Sequence, residues 1–133
     1  MPGFVSHIDF RVRNAAEALP FYDALFAALG MREGPTRTAV KSYARWDPDG
    51  VRIEWFNLYE DSASMPSPTR IAFRVNSNTE VDEVFQAIRA YARNIEGPES
   101  VERGGKYNMS YYGLFFEDTF GNKFEVCNCI MRR

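Results

Sequence analysis

One histidine, His7, and two cysteines, Cys127 and Cys129, are all that this 133-residue chain offers by way of imidazole and thiol ligands. The cysteines are spaced i, i+2 and form no CxxC pair. On a strand they share a face and read as free thiols, because a structural zinc site needs further Cys or His. Charge of one sign is also lacking. The net charge is −2 and the pI about 5.5, with no long like-charge run, which excludes the basic footprint of a nucleic-acid binder. No apolar run is long enough to span a membrane. Met1-Pro2-Gly3-Phe4-Val5-Ser6-His7 lacks the charged region and apolar core of a signal peptide. The expectation is therefore a cytoplasmic protein with reduced thiols, no nucleic-acid partner and no membrane partner.

Aromatic residues are plentiful instead. They make up 15% of the chain, from eleven Phe, seven Tyr and two Trp, which suits an aromatic core, an aromatic-lined cavity or both. The length is that of one domain able to bury a core.

Taken in order, Val5 to Val12 alternates, with Ile8, Phe10 and Val12 on one face and His7, Asp9 and Arg11 on the other. Asn14 is an N-cap with Glu17 in the capping-box place. Tyr22, Leu25, Phe26 and Leu29 form a helix stripe. Pro20 either marks that helix's true first turn or bends its start, and Gly30 ends the helix. Met31 to Glu33 is a short extended piece, and Thr38 to Trp46 reads as a strand. Asp47-Pro48-Asp49-Gly50 is a turn. The strand Val51 to Leu58 follows, with Ile53 and Trp55 on one face and Arg52, Glu54 and Phe56 on the other. Residues 60–68, rich in Ser and Pro, read as a linker.

The plan then repeats. Arg70-Ile71-Ala72-Phe73-Arg74-Val75 matches His7-Ile8-Asp9-Phe10-Arg11-Val12. Thr79 or Asn78 caps a second helix whose stripe is Val81, Val84, Phe85 and Ile88. Gly97-Pro98 ends that region, Tyr111 to Phe116 is a strand, and Phe124 to Val126 is the last one. Asp118, Gly121 and Glu125 align without a gap on Asp47, Gly50 and Glu54. The offset is 63 residues for the first strands and 71 for the last turns, so the second copy is eight residues longer. The extra length falls at Glu99 to Met109, which reads equally as a lid and as a surface loop. An internal duplication of strand–helix–strands units decides the fold class.

Two βαβββ units in one chain resemble the glyoxalase / bleomycin-resistance / extradiol-dioxygenase superfamily, also called the vicinal oxygen chelate superfamily. The residues behind the resemblance are His7-Ile8-Asp9-Phe10, Phe21-Tyr22-Asp23-Ala24-Leu25, Leu29-Gly30-Met31 and Arg70-Ile71-Ala72-Phe73. The most specific stretch is Tyr111-Tyr112-Gly113-Leu114-Phe115-Phe116-Glu117-Asp118 into Gly121-Asn122-Lys123-Phe124-Glu125. Together they span about Phe4 to Cys129. The resemblance implies an α+β fold in which modules 4–58 and 69–128 form an incomplete barrel around a concave site in a single domain, 1–133. It also implies a small-molecule ligand and a homodimer.

Glyoxalase-like members take metal ligands from places that correspond here to His7, Glu54, Arg70 and Glu125. Arg70 departs from that pattern, since a guanidinium stays protonated and has no lone pair to donate. Two readings stand. In one, a divalent ion (Zn, Ni, Mn, Fe or Co) binds His7, Glu54 and Glu125, and acts as a Lewis acid in a lyase or isomerase. Glu54 or Glu125 then serves as the general base, and Arg70 contacts the substrate. In the other, Arg70 replaces the metal and pairs with Glu54 or Glu125, and the protein binds a small molecule as the bleomycin-resistance branch does. Extradiol dioxygenase chemistry ranks below both, because its iron site takes two His and one Glu; the single His argues equally against a fosfomycin-resistance transferase. Asp9, Arg11, Arg74, Trp46, Phe56 and Tyr112 are the further candidate substrate contacts. Asp9, Arg11 and Arg74 read first as mutual pairs, and Tyr43, Trp46, Phe56, Tyr111 and Tyr112 first as core or edge aromatics.

Overall fold

The computed structural model describes residues 4–103 and 108–132. These fall into two compact units, Met1–Met65 and Pro66–Arg133. The division lies inside the Ser- and Pro-rich stretch at 60–68.

The first unit runs β1 (His7–Val12), α1 (Ala15–Ala28), β2 (Arg32–Gly34), β3 (Lys41–Trp46) and β4 (Arg52–Glu60). Its four strands form one sheet in the order β1-β4-β3-β2. β1 and β4 are parallel; the other neighbours are antiparallel. The local causes are those of the sequence pattern. Asn14 caps α1 by accepting the Glu17 N–H at 3.0 Å, and Gly30 adopts a positive φ of 75° just past the helix. The helix continues through Pro20, which lies beyond the first turn. Tyr22, Leu25 and Phe26 are fully buried and seat the helix on the sheet. Phe56 of β4 lies 4.7 Å from the Phe26 ring and 5.4 Å from Phe10 of β1, centroid to centroid. Each such buried ring contributes about 2 kcal/mol of apolar transfer. Asp23 of α1 accepts from Tyr43 Oη at 2.7 Å and from Lys41 Nζ at 2.8 Å, tying the helix to β3.

The second unit repeats this plan as β5 (Arg70–Arg74), α2 (Asn78–Ile88), β6 (Arg93–Arg103), β7 (Asn108–Glu117) and β8 (Lys123–Arg132). Its sheet order is β5-β8-β7-β6, with β5 and β8 parallel. The fold is therefore α+β, built from two βαβββ modules. Val81, Val84 and Ile88 of α2 are fully buried, as are Leu114, Phe124 and Val126 of the sheet.

Two expectations are corrected. The cap of α2 is Ser77, whose Oγ accepts the Glu80 N–H at 3.2 Å, while Glu80 accepts from Asn76 N at 2.8 Å and from Ser77 Oγ at 3.1 Å. This is a capping-box arrangement one residue ahead of Asn78, with the Glu80 carboxylate reaching the backbone N–H of Asn76 rather than that of Ser77. The second correction is β6, where only the end of a region was expected. Gly97-Pro98 lies inside this strand, in cis, with register shifts between Arg93 and Glu96 and between Glu96 and Glu99. The stretch 99–109, read equally as a lid and as a surface loop, begins in β6 and ends in β7; its middle, 104–107, lies outside the described residues. Among the described residues, no helix is long and apolar enough to cross a membrane.

Candidate functional site

Each sheet has one face against its helix and one face turned from it, and the chemistry gathers on the helix-free faces. In the first unit, parallel pairing sets His7 opposite Trp55, Asp9 opposite Asn57 and Arg11 opposite Tyr59. The side chains meet accordingly. The His7 and Trp55 rings stack with centroids 4.8 Å apart and planes within 5°. Asn57 Nδ2 donates to Asp9 Oδ1 at 2.8 Å. The Arg11 guanidinium lies 5.6 Å from the Tyr59 ring centroid. Ser42, opposite Asn57 on β3, is on this face too. Its Oγ is fully buried and has no partner among the described residues.

Glu54 does not join this face, contrary to the expectation that His7 and Glu54 share one. Trp46 pairs with Arg52, but the next pair is Arg45 with Glu54, so Ile53 is the extra residue of a β-bulge. The pairing of His7 with Trp55 sets His7 on the opposite face from Glu54, which alternates with Phe56 and Leu58 toward α1. Its Oε1 pairs with Arg45 Nε at 2.7 Å. The bulge flips Arg52, which lies beyond the extra residue, to the helix-free side. Its guanidinium lies 4.1 Å from the Trp55 ring centroid, and Nη1 donates to the Pro35 carbonyl at 3.4 Å. A Cβ at Gly34 would meet Arg52 Nη1 at an ordinary 3.9 Å but would crowd Ala44 Cβ at 3.0 Å.

The second unit keeps its alternation, because β7 and β8 pair without a shift. Arg70 is opposite Lys123, Ala72 opposite Glu125 and Arg74 opposite Cys127, so Glu125 shares the helix-free face with Arg70. They are not ion-paired. The Arg70 guanidinium lies instead over the Phe115 ring, 4.6 Å from its centroid. The expected pairing of Arg70 with Glu54 or Glu125 is thus replaced by a cation–π contact. Glu125 Oε1 accepts from Tyr111 Oη at 2.7 Å. Gly113 makes that bond possible, because a Cβ there would stand only 1.9 Å from Tyr111 Oη.

Burial, then the bond to Glu125 and its charge, push the Tyr111 pKa well above the ordinary tyrosine range. Burial and the charge of Glu125 lift the Cys127 thiol to about 11, with Arg74 opposing.

The remaining candidates divide. Arg74 is exposed at the end of β5. Trp46, 40% exposed, ends β3. Phe56 is not a wall of the helix-free face; it is core, packed on Tyr22 and Phe26. Tyr112 faces α2 and donates to Asp82 Oδ1 at 2.6 Å. The sequence reading missed Trp55, Asn57, Tyr59, Arg52 and Phe115 as members of these faces, and treated Tyr111 first as core. A bulge of one residue leaves no mark in composition, so alternation counted through Ile53 put Arg52 opposite to Trp55.

The divalent metal implied by the family fits these residues poorly. Glu54 lies on the far face of its sheet from His7 and is held by Arg45, and Arg70 supplies no lone pair. Among the described residues, no three of His, Cys, Asp and Glu gather into a group that could hold a metal ion.

Comparison with known proteins places this geometry. The family model of the Glyoxalase/Bleomycin resistance protein/Dioxygenase superfamily matches residues 5–126. No curated protein matches as a relative. Among solved structures, a glyoxalase/bleomycin resistance protein from Albidiferax ferrireducens is similar at 21% identity and a TM-score of 0.66, over 95% of this chain and 98% of that one. The fosfomycin resistance protein FosX from Listeria monocytogenes, solved with Mn(II) and sulfate, is similar at 22% identity and a TM-score of 0.58, over 96% and 91%. A virulence protein from Salmonella typhimurium matches at 18% identity and a TM-score of 0.60, over 96% and 98%. At these identities the likeness is one of fold.

Proposed function

Because the chain belongs to the Glyoxalase/Bleomycin resistance protein/Dioxygenase superfamily, we propose that it is a metal-independent, small-molecule-binding member of the bleomycin-resistance kind. The observation behind this reading is the register of β1 on β4, which sets His7 opposite Trp55 and leaves Glu54 on the other face, paired with Arg45. His7 stacks flat on Trp55, and Arg70 stands where the family places a ligand. In this reading the helix-free face of the first unit works by stacking and hydrogen bonding. His7, backed by Trp55, and Tyr59 offer ring surface. Asp9 and Asn57 offer a polar pair. On the helix-free face of the second unit, taken by itself, Glu125 holds the Tyr111 hydroxyl and keeps lone pairs for a further donor. No residue here is assigned as a general base.

Protein purified without chelators should carry no stoichiometric metal by elemental analysis. Added Ni or Mn should leave the melting temperature unchanged, and hemithioacetals should not turn over. A panel of small aromatic compounds should raise the melting temperature. Stoichiometric metal together with turnover would overturn the proposal in favour of a metal-dependent lyase.

A further inference from the structure

The helix-free face of the first unit carries a charge balance that small-molecule binding alone leaves unexplained. Arg11, Arg32 and Arg52 lie on it: Arg32 is opposite Ala44, which is opposite Trp55, and Arg52 reaches it through the bulge. Asp9 is the one carboxylate of these four strands on that side, and Asn57 engages it at 2.8 Å. The acidic residues Glu33, Glu54 and Glu60 belong to the other face, where they meet Lys41, Arg45 and the N–H of Ala15.

Among these cations, Arg52 is held at two points, whereas Arg11 has its contact with the Tyr59 ring. Arg52 rests over Trp55 and donates one N–H to Pro35 O. A guanidinium has five N–H donors in a planar fork, so most of this fork is available to a carboxylate. Close by, Ser42 Oγ is fully buried on the same face with no partner among the described residues. Such a hydroxyl is costly unless something satisfies it.

We propose that this face selects an organic carboxylate, its charge taken by the fork of Arg52, a guanidinium that the Trp55 ring backs and that Pro35 O holds by one N–H. The proposal rests on the small-molecule reading and names its ligand class. The apolar remainder of the ligand supplies affinity that its neutral analogue shares. The guanidinium supplies the discrimination between an anion and its neutral analogue.

Calorimetric titration of the full chain with 2-naphthoate, 2-naphthamide and 2-naphthylmethylamine tests it. The carboxylate should bind at least about tenfold tighter than the amide, a difference of about 1.4 kcal/mol, and the amine should bind weakest. Arg52→Gln should bring the carboxylate down to the level of the amide and leave the amide unchanged. Arg52→Lys, which keeps the charge and loses the fork, should retain part of the preference. Arg11→Gln, at the other end of the face, should cost less. Equal binding of carboxylate and amide, or a ratio untouched by Arg52→Gln, overturns the anion selection while small-molecule binding stands. Silence of all three naphthyl probes alongside other hits from the aromatic panel does the same. Stoichiometric metal with hemithioacetal turnover defeats the underlying reading instead.

Discussion

Glu54 and Glu125 stand at matching places in the sequence repeat, yet they end with different partners. Glu54 meets a guanidinium on the helix side of its sheet, and Glu125 meets a phenol on the helix-free side. The second bond depends on a residue with no side chain. At Gly113 a methyl group would collide with the end of the Tyr111 side chain, and that flexible phenol is the part able to move. Gly113→Ala should therefore swing Tyr111 off Glu125 without unfolding the chain. Spectrophotometric titration at 295 nm checks this. In the native protein Tyr43 and Tyr111 resist ionisation, for burial and a carboxylate partner push both upward. In the variant, one more tyrosine should ionise while the protein is still folded. An unchanged titration curve would show that Gly113 is not what holds Tyr111 in place.

At the scale of elements, the helices were the most legible parts. The stripe of α1 and its Asn14–Glu17 cap appear in the structure as expected. The stripe of α2 also holds, but its cap was misassigned among Ser77, Asn78 and Thr79, three residues that can all cap. Ser77 is the one with a Glu three positions on, and the reciprocal bonds of Glu80 settle it. Ser77→Ala should accordingly cost about 1 kcal/mol in urea unfolding, and Thr79→Ala less than about 0.5 kcal/mol. The reverse order would argue that the helix begins later. β6 was illegible for a different reason. Gly97-Pro98 reads as a break, and Pro cannot donate to a ladder. The strand accommodates it because it pairs on one side only, with β7, through two register shifts. The bulge at Ile53 belongs to the same class of event. It is settled by how β3, β4 and β1 pair, and no residue at 52–55 announces it.

For the molecule as a whole, the duplication was visible in the turns. Asp47 accepts the N–H groups of Asp49 and Val51, as Asp118 accepts those of Phe120 and Asn122. Gly50 and Gly121 both take positive φ. Each unit then builds its own apolar core, and both bury groups that must stay protonated. Cys127 keeps its proton to about 11 in the folded chain, against 9.0 ordinarily, and Tyr43 and Tyr111 are also raised. Between pH 9 and 11 the unfolded chain thus binds fewer protons than the folded one, so stability falls as pH rises. The melting temperature should be level below about pH 9 and decline above it. Cys127→Ala should have a shallower decline between pH 9 and 11. A melting temperature that is flat to pH 11 would contradict the assignment of these buried groups.

Sequence by itself determined the family, the α+β class, the two-module plan and both helix faces. Those depend on local periodicity and turn chemistry, which neighbouring residues encode. It also singled out Arg70 as the break in the family's ligand pattern, because the chemistry of a guanidinium needs no coordinates. Only tertiary structure decided which face Glu54 takes, that His7 lies flat on Trp55, and that Arg70 rests on Phe115 rather than on a carboxylate. The physical reason is the period of a strand. Side chains alternate strictly along a strand, so which residues of two strands share a face depends on their register, and pairing between strands distant in the chain sets that register.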